Sequence, residues 1–264
     1  MVSNPSYNES KAVAAEQTTA IVLRTIEFSE TSLIVTLLTR DFGRVSAIAK
    51  GARRPKSTFE GSLDLLAVCR VVLIRKSTDA LDLLTEAKLH RRFRAAERSL
   101  DRVYAGYYIA EMLRLLTDDH DPHPDLYDLA INALAQIDGD GNVALAMLGF
   151  DIQALRLLGH SPELRRCTDC GDVVARESRM VFALLGGGVV CHRCRAKQNQ
   201  TVSMRLESID HLERLQSANV SLPIEVKPQV YGELRAVISR YIQTIVGTMP
   251  RMQRFLPTRL TTGD

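Results

Sequence analysis

Four of the five cysteines of this chain stand as two Cys-x-x-Cys pairs, Cys167/Cys170 and Cys191/Cys194, with twenty residues between them. Two intervening residues let both thiolates turn onto one cation from a tight knuckle, and Gly171, directly after the first pair, supplies the permissive backbone such a knuckle needs. Two knuckles predict a closed tetrahedral site for one metal ion, most simply zinc. The competing readings are a pair of disulfides or four unrelated thiols. Disulfide frameworks belong to small secreted chains. This sequence has 264 residues and opens Met1-Val2-Ser3-Asn4-Pro5-Ser6-Tyr7-Asn8-Glu9, polar where a signal peptide has a basic start and an apolar run. A reducing, cytoplasmic compartment is therefore expected. Catalytic zinc keeps a position open for water, whereas four thiolates fill every position. The expected ion is structural, with His192 a bystander on the second knuckle.

A chain of this length is expected to divide into two domains. Residues 1–17 are polar and Ala-rich without periodicity and read as a disordered lead-in. From Thr18 the texture turns to short β-favouring runs: Ala20–Arg24, Ser32–Leu38, Arg44–Ala49, Ala67–Ile74 and Leu81–Thr85, with Asp41-Phe42-Gly43 as a hairpin turn. Five short strands with no helix between them predict an antiparallel barrel of the OB type over residues 18–87. After Glu86 the apolar spacing becomes helical. Tyr104, Tyr108, Met112 and Leu115 form one stripe, Val143, Met147, Phe150, Ala154 and Leu157 a second, and Val230, Leu234, Val237, Tyr241 and Ile245 a third. Asp118–Pro124 and Asp138–Asn142 punctuate these helices, the second as a solvated acidic loop without the calcium-binding pattern. The fold class is thus α+β: an OB-type barrel, then a helical domain over 88–264 carrying a four-cysteine zinc insertion at about 165–200.

Charge is nearly balanced, with 34 Lys and Arg against 31 Asp and Glu, so a polyanion-binding surface has to be local. The densest segment is on the barrel. Arg40, Arg44, Lys50, Arg53, Arg54 and Lys56 face the single acid Asp41 within that stretch. Gly51 and Pro55 disfavour a regular element there, so a flexible basic loop suited to tracking phosphates is predicted. Phe28, Phe42 and Phe59 are the aromatic candidates for base stacking, and the chain has no Trp. Lys88, Arg91, Arg92, Arg94, Arg98 and Arg102 form a second cluster, expected to open the first helix and extend the same surface. No apolar run approaches the ~20 residues of a membrane span.

In the order of its features the chain resembles the RecO family of bacterial recombination mediators. The residues that carry the resemblance are Ile21-Val22-Leu23-Arg24, Glu30-Thr31, Leu38-Thr39-Arg40, Gly43, Ala49-Lys50-Gly51-Ala52-Arg53-Arg54-Pro55-Lys56-Ser57 and Leu84-Thr85-Glu86. They continue with Leu157-Leu158-Gly159-His160-Ser161-Pro162-Glu163-Leu164, the cysteine pairs bracketing Gly186-Gly187-Gly188, and Arg254-Phe255-Leu256. The resemblance implies an OB-fold that binds single- and double-stranded DNA and anneals complementary strands. It also implies a helical domain that works with RecR to load RecA onto DNA coated by single-stranded DNA-binding protein, whose acidic C-terminal tail it docks. A cytoplasmic, nucleoid-associated role in DNA repair and recombination follows, in the RecF pathway.

No enzyme is expected. Gly186-Gly187-Gly188 is followed by Val189-Val190-Cys191 and lacks the Lys-Ser/Thr of a phosphate-binding loop. The rival reading is a zinc-ribbon adaptor that bridges protein partners and touches DNA weakly. A steep fall of DNA affinity with salt separates a phosphate track from such an adaptor.

Overall fold

The computed structural model describes residues 15–76, 80–217 and 226–260. Of the expected lead-in, residues 1–14 lie outside the described residues, and residues 15–17 belong to the first strand. The chain forms two compact units, one of residues 1–92 with 119–122, the other of 93–118 with 123–264.

The first unit is a five-stranded closed barrel. Its strands are β1 (Ala15–Glu27), β2 (Leu33–Thr39), β3 (Gly43–Ala49), β4 (Val68–Ile74) and β5 (Asp82–Arg91), in the order β1-β2-β3-β5-β4. All neighbours are antiparallel except β3 and β5. This is the five-stranded OB-type barrel expected from the short alternating runs. Alternation puts Val35, Leu37, Val45, Ala47, Ala49, Val71 and Leu73 inside, with Arg44, Ser46 and Ile48 on the other face of β3. The expected hairpin turn forms: the Phe42 N–H donates to Thr39 Oγ1 at 3.0 Å, and that hydroxyl donates to the Gly43 carbonyl at 2.8 Å.

Strand β5 runs well beyond Thr85. Lys88 lies opposite Arg70 and Leu89 opposite Cys69, so Lys88 and Arg91 are on a strand and do not open a helix. The apolar alternation fades there because Glu86, Lys88, Leu89 and His90 are exposed. Pairing with β4 carries the strand where its own pattern does not.

The second unit is built on α1 (Leu100–Leu116), α2 (Pro124–Asp138), α3 (Val143–Leu157), α5 (Leu206–Gln216) and α6 (Pro228–Val246), with a small sheet and a short helix, α4 (His192–Arg195), before α5. Ser99 caps α1, Pro124 opens α2, and Asn142 caps α3 by accepting the Leu145 N–H at 3.0 Å. Helix α3 is buried on more than one face: Ala146, Leu148, Ile152 and Leu155 join Met147, Phe150 and Ala154 in the core. Leu115, by contrast, is exposed at the end of the α1 stripe.

Inside this core lies a polar knot that the apolar stripes conceal. Asp151 of α3 is 1% exposed and Arg235 of α6 is 5% exposed. Asp151 accepts from Tyr108 of α1 at 2.9 Å and is ion-paired with Arg235, whose guanidinium lies 5.5 Å from the centre of the Tyr108 ring. Burial pushes the Asp151 carboxyl up from the ordinary carboxylate range, against the pull of Arg235 and Tyr108. One charge pair thus ties three helices together.

Candidate metal centre and nucleic-acid interface

The cysteine pairs sit on a module built around β6 (Arg179–Ala183), β7 (Gly188–Val190) and β8 (Thr201–Arg205), with β6 central. The first knuckle closes when the Gly171 N–H donates to the Cys167 carbonyl at 2.9 Å, and Gly171 takes a φ of 77° to do so. The second begins at the end of β7, where Cys191 caps α4 and the Cys194 N–H donates to the Cys191 carbonyl at 3.1 Å. Gly186 and Gly187 turn the chain between β6 and β7. A Cβ on Gly188 would come within 2.3 Å of the Glu163 carbonyl oxygen, so the strand carrying Cys191 packs where only glycine fits.

These knuckles bring all four sulfurs within 4.8 Å of one another. Cys170 Sγ and Cys191 Sγ are 3.8 Å apart, close to the roughly 3.8 Å edge of a tetrahedron with metal–sulfur bonds of about 2.3 Å. All five cysteines are free thiols. Burial alone would raise the Cys167 thiol, but backbone N–H groups of Cys170, Cys191 and Asp169 outweigh it and bring it down to about 6. The Cys194 thiol is raised, first by its hydrogen bond to Asp169 and then by burial. A cation at the centre would take all four sulfurs as thiolates, releasing whatever protons they still carry. Four thiolates converging at this spacing fit a tetrahedral thiophilic cation, and they leave no ligand position for water. His192 is 81% exposed, with Nε2 at 3.9 Å from Glu177, away from the sulfurs.

Around the knuckles most arginines are engaged. Arg165 pairs with Glu213, Arg166 donates to the Gly171 carbonyl at 3.2 Å, and Arg193 pairs with Asp172. Glu163 Oε1 accepts the Arg165 and Arg166 N–H groups at 2.8 and 2.9 Å, fixing the chain just before Cys167. Those two N–H donors hold the Glu163 carboxyl below its ordinary value.

On the barrel, the six basic residues do not form one patch. Arg40 and Arg44 flank the β2–β3 turn, and Lys50 to Lys56 follow the other end of β3, about 20 Å away along seven residues of strand. Arg44 is also spent on an ion pair with Asp119 at 2.6 Å. Arg53 is a strut. Its N–H donates to Thr31 O at 3.0 Å, its guanidinium donates to Ser29 O at 3.0 Å, and it pairs with Glu27 at 3.0 Å. Lys50, Arg54 and Lys56 are exposed, and take part in no ion pair among the described residues.

The segment that carries them is anchored rather than free. Successive turns run from Gly51 to Ser62, with Arg54, Ser57, Glu60 and Ser62 each donating to the residue three before it. Phe59 and Leu63 then plug the barrel core. Phe59 is therefore unavailable for stacking, and Phe42 lies half-buried under the Arg75 guanidinium at 5.2 Å. Of the second basic cluster, Lys88, Arg91 and Arg92 belong to the barrel unit and Arg94, Arg98 and Arg102 to the helical unit. Arg102 donates to the carbonyls of Ile137 and Gly139 at 2.7 and 2.8 Å, and Arg98 pairs with Asp140. The acidic loop at 138–142 is thus tied down by arginines, and they by it.

A five-stranded OB-type barrel with exposed cations at one end, followed by a helical domain with four cysteines placed to hold one metal ion, defines the class: a two-domain protein of barrel and zinc-ribbon-like helical unit. Residues 14–93 match the family model described as Recombination protein O N terminal, and residues 97–254 match Recombination protein O C terminal. The chain belongs to the RecO family of DNA repair proteins. It is 52% identical over 266 residues to the DNA repair protein RecO of Rhodopirellula baltica, covering 91% of this chain and 98% of that one. It is 31% identical over 226 residues to the DNA repair protein RecO of Myxococcus xanthus, covering 84% and 91%. Among the described residues no helix is long and apolar enough to cross a membrane.

Proposed function

We propose that this chain is a DNA repair and recombination mediator that binds single- and double-stranded DNA and anneals complementary strands. With RecR it would load RecA onto DNA coated by single-stranded DNA-binding protein, whose acidic tail the helical domain would dock. The observation that carries the reading is the placement of Lys50, Arg54 and Lys56: exposed, free of ion pairs among the described residues, and fixed by anchored turns at one end of an OB-type barrel in a chain of this family.

The mechanism needs no catalytic residue. Two DNA strands repel through their phosphates. A local set of cations neutralises part of that charge and raises the strands' effective concentration, while contacts to phosphate leave base edges free to pair. The four-cysteine cation is proposed to be zinc in a structural role, and the site of action to be the cytoplasm, at the nucleoid.

The test is annealing of complementary labelled oligonucleotides coated with the cognate single-stranded DNA-binding protein, without ATP, at two salt concentrations. Salt-sensitive acceleration is expected. No acceleration by folded, metal-loaded protein would overturn the mediator reading in favour of an adaptor that bridges proteins.

A further inference from the structure

Strand β1 changes character after Leu23. Residues 24–30 are all exposed, and the strand's register with β2 shifts between Val22 and Arg24. Side chains two apart share a face, so Arg24, Ile26 and Phe28 project together. Ile26 is 40% exposed and Phe28 is 58% exposed. The row continues sideways, because Ile26 lies opposite Ile34 of β2 and Ile34 opposite Ile48 of β3. Both isoleucines are only half-buried on the outer face.

The backbone that carries the ring is held in place, beside a segment that carries basic residues. The Phe28 and Ser29 N–H groups donate to Ser32 O at 3.1 and 3.3 Å, closing the β1–β2 loop. Arg53 bolts that loop to the basic turns through Ser29 O and Thr31 O. Leu33 opposite Ala49 sets the same loop beside Lys50. Of the two acids that flank the ring in the chain, Glu27 is paired with Arg53 and Glu30 is exposed in the same loop. An exposed aromatic face and an aliphatic row thus lie at the end of the barrel whose rim includes Arg24, Lys50 and the turns that carry Arg54 and Lys56, a set that stays net basic with the exposed Glu30 and Glu60 counted.

A duplex keeps its base faces inside the stack and offers a protein mainly phosphates and groove edges, whereas an unpaired strand offers both phosphates and base faces. The sign of the rim favours a polyanion, and the apolar row favours one whose bases are accessible. We propose that Phe28 is a stacking platform for an unpaired DNA base, with Ile26, Ile34 and Ile48 as the floor for neighbouring nucleotides. This end of the barrel therefore prefers single strands to duplex. The inference rests on the DNA-binding reading above and adds the feature of the ligand that is recognised. A base held by its face keeps its pairing edge free, so stacking and annealing are compatible.

Because the chain has no Trp, Phe28→Trp installs a sole indole reporter. Full-length wild type, Phe28→Ala and Phe28→Trp would be titrated with an oligothymidine, an abasic oligodeoxyribonucleotide of the same length and a blunt duplex. Phe28→Ala is expected to bind oligothymidine about tenfold more weakly, as the loss of one base–aromatic stack implies. Its affinities for the abasic strand and the duplex should change by less than about twofold, since phosphate contacts remain. Phe28→Trp should keep the wild-type affinity, and oligothymidine but not the abasic strand should quench it. Unchanged oligothymidine binding by Phe28→Ala would overturn the proposal while leaving the DNA-binding reading intact. Failure of the wild type to bind any of the three probes at low salt would overturn both.

Discussion

Neutralising Lys50, Arg54 and Lys56 together by Gln should change the salt dependence of DNA binding by an amount set by their exposure. Each phosphate neutralised on a single strand contributes roughly 0.7 to the slope of log affinity against log salt. Three cations that all reach phosphates account for a slope of about 2. On raising salt from about 50 to about 200 mM, the wild type should then lose roughly 20-fold more affinity than the triple variant. Arg44→Gln and Arg53→Gln provide the contrast, because Asp119 and Glu27 with Ser29 O already hold those guanidinium groups. Each should alter the slope by less than about 0.5. Arg53→Gln should instead cost about 1 kcal/mol of stability through its lost hydrogen bond and exposed ion pair. Fluorescence anisotropy over a salt series reads the slopes, and urea unfolding reads the stability. A triple variant with the wild-type slope, or Arg53→Gln flattening the slope as much as the triple does, would refute the assignment.

Replacing Cys167 and Cys170 by Ala should abolish bound metal, read by metal analysis. It should also open the chain around 165–200 to limited proteolysis, because the module's own buried cluster is small and structural zinc supplies on the order of 10 kcal/mol in isolated fingers. Asp151→Asn should cost about 3–5 kcal/mol in urea unfolding by leaving Arg235 buried without its counter-charge, whereas Asp151→Leu with Arg235→Met and Tyr108→Phe, which removes every member of the knot, should be close to neutral. Glu163 is a depressed carboxylate: its contribution is present above its ordinary value of 4.5 and lost as pH falls through its lower folded value. Glu163→Gln should therefore flatten the acid limb of a pH–stability curve below about 4.5, its small loss of stability being full at neutral pH and vanishing at low pH, where Glu163 is itself protonated.

The barrel, the helical stripes and the metal knuckles were legible because each follows from a local period or spacing. Val45, Ala47 and Ala49 alternate along one strand, and Cys167 and Cys170 turn their sulfurs toward one point within one knuckle. The extension of β5 through Lys88 was hidden because its support comes from Arg70 and Cys69 on another strand. The fate of the arginines was hidden for the same reason. Nothing near Arg102 in the chain indicates that carbonyls of Ile137 and Gly139 will occupy it, and nothing near Arg53 announces Ser29 and Thr31. One signal was readable and passed over: Asp151 is a lone acid inside an otherwise apolar helical run, and such a residue needs a buried partner.

Local pairing of arginines reconciles a net charge of only +3 with the proposed surface for a polyanion. In the helical unit Arg98, Arg165, Arg176, Arg193 and Arg235 are matched to Asp140, Glu213, Asp210, Asp172 and Asp151, so much of the basic count there produces little field outside its own pair. What remains is decided by position. Lys50, Arg54 and Lys56 lie within one run of turns. Arg40 is about 20 Å from them along β3, roughly two Debye lengths at 0.1 M salt. The two ends of the barrel are therefore electrostatically independent under physiological conditions, although the sequence places all six basic residues in a single stretch. A strand held at the Lys50 end gains nothing from Arg40, and charge reversal at Arg40 should leave the phosphate-dependent slope of that end unchanged. The proposed DNA-binding surface is smaller than the charge run that first pointed to it, and the exposed Phe28 ring lies on the end that carries Lys50, Arg54 and Lys56.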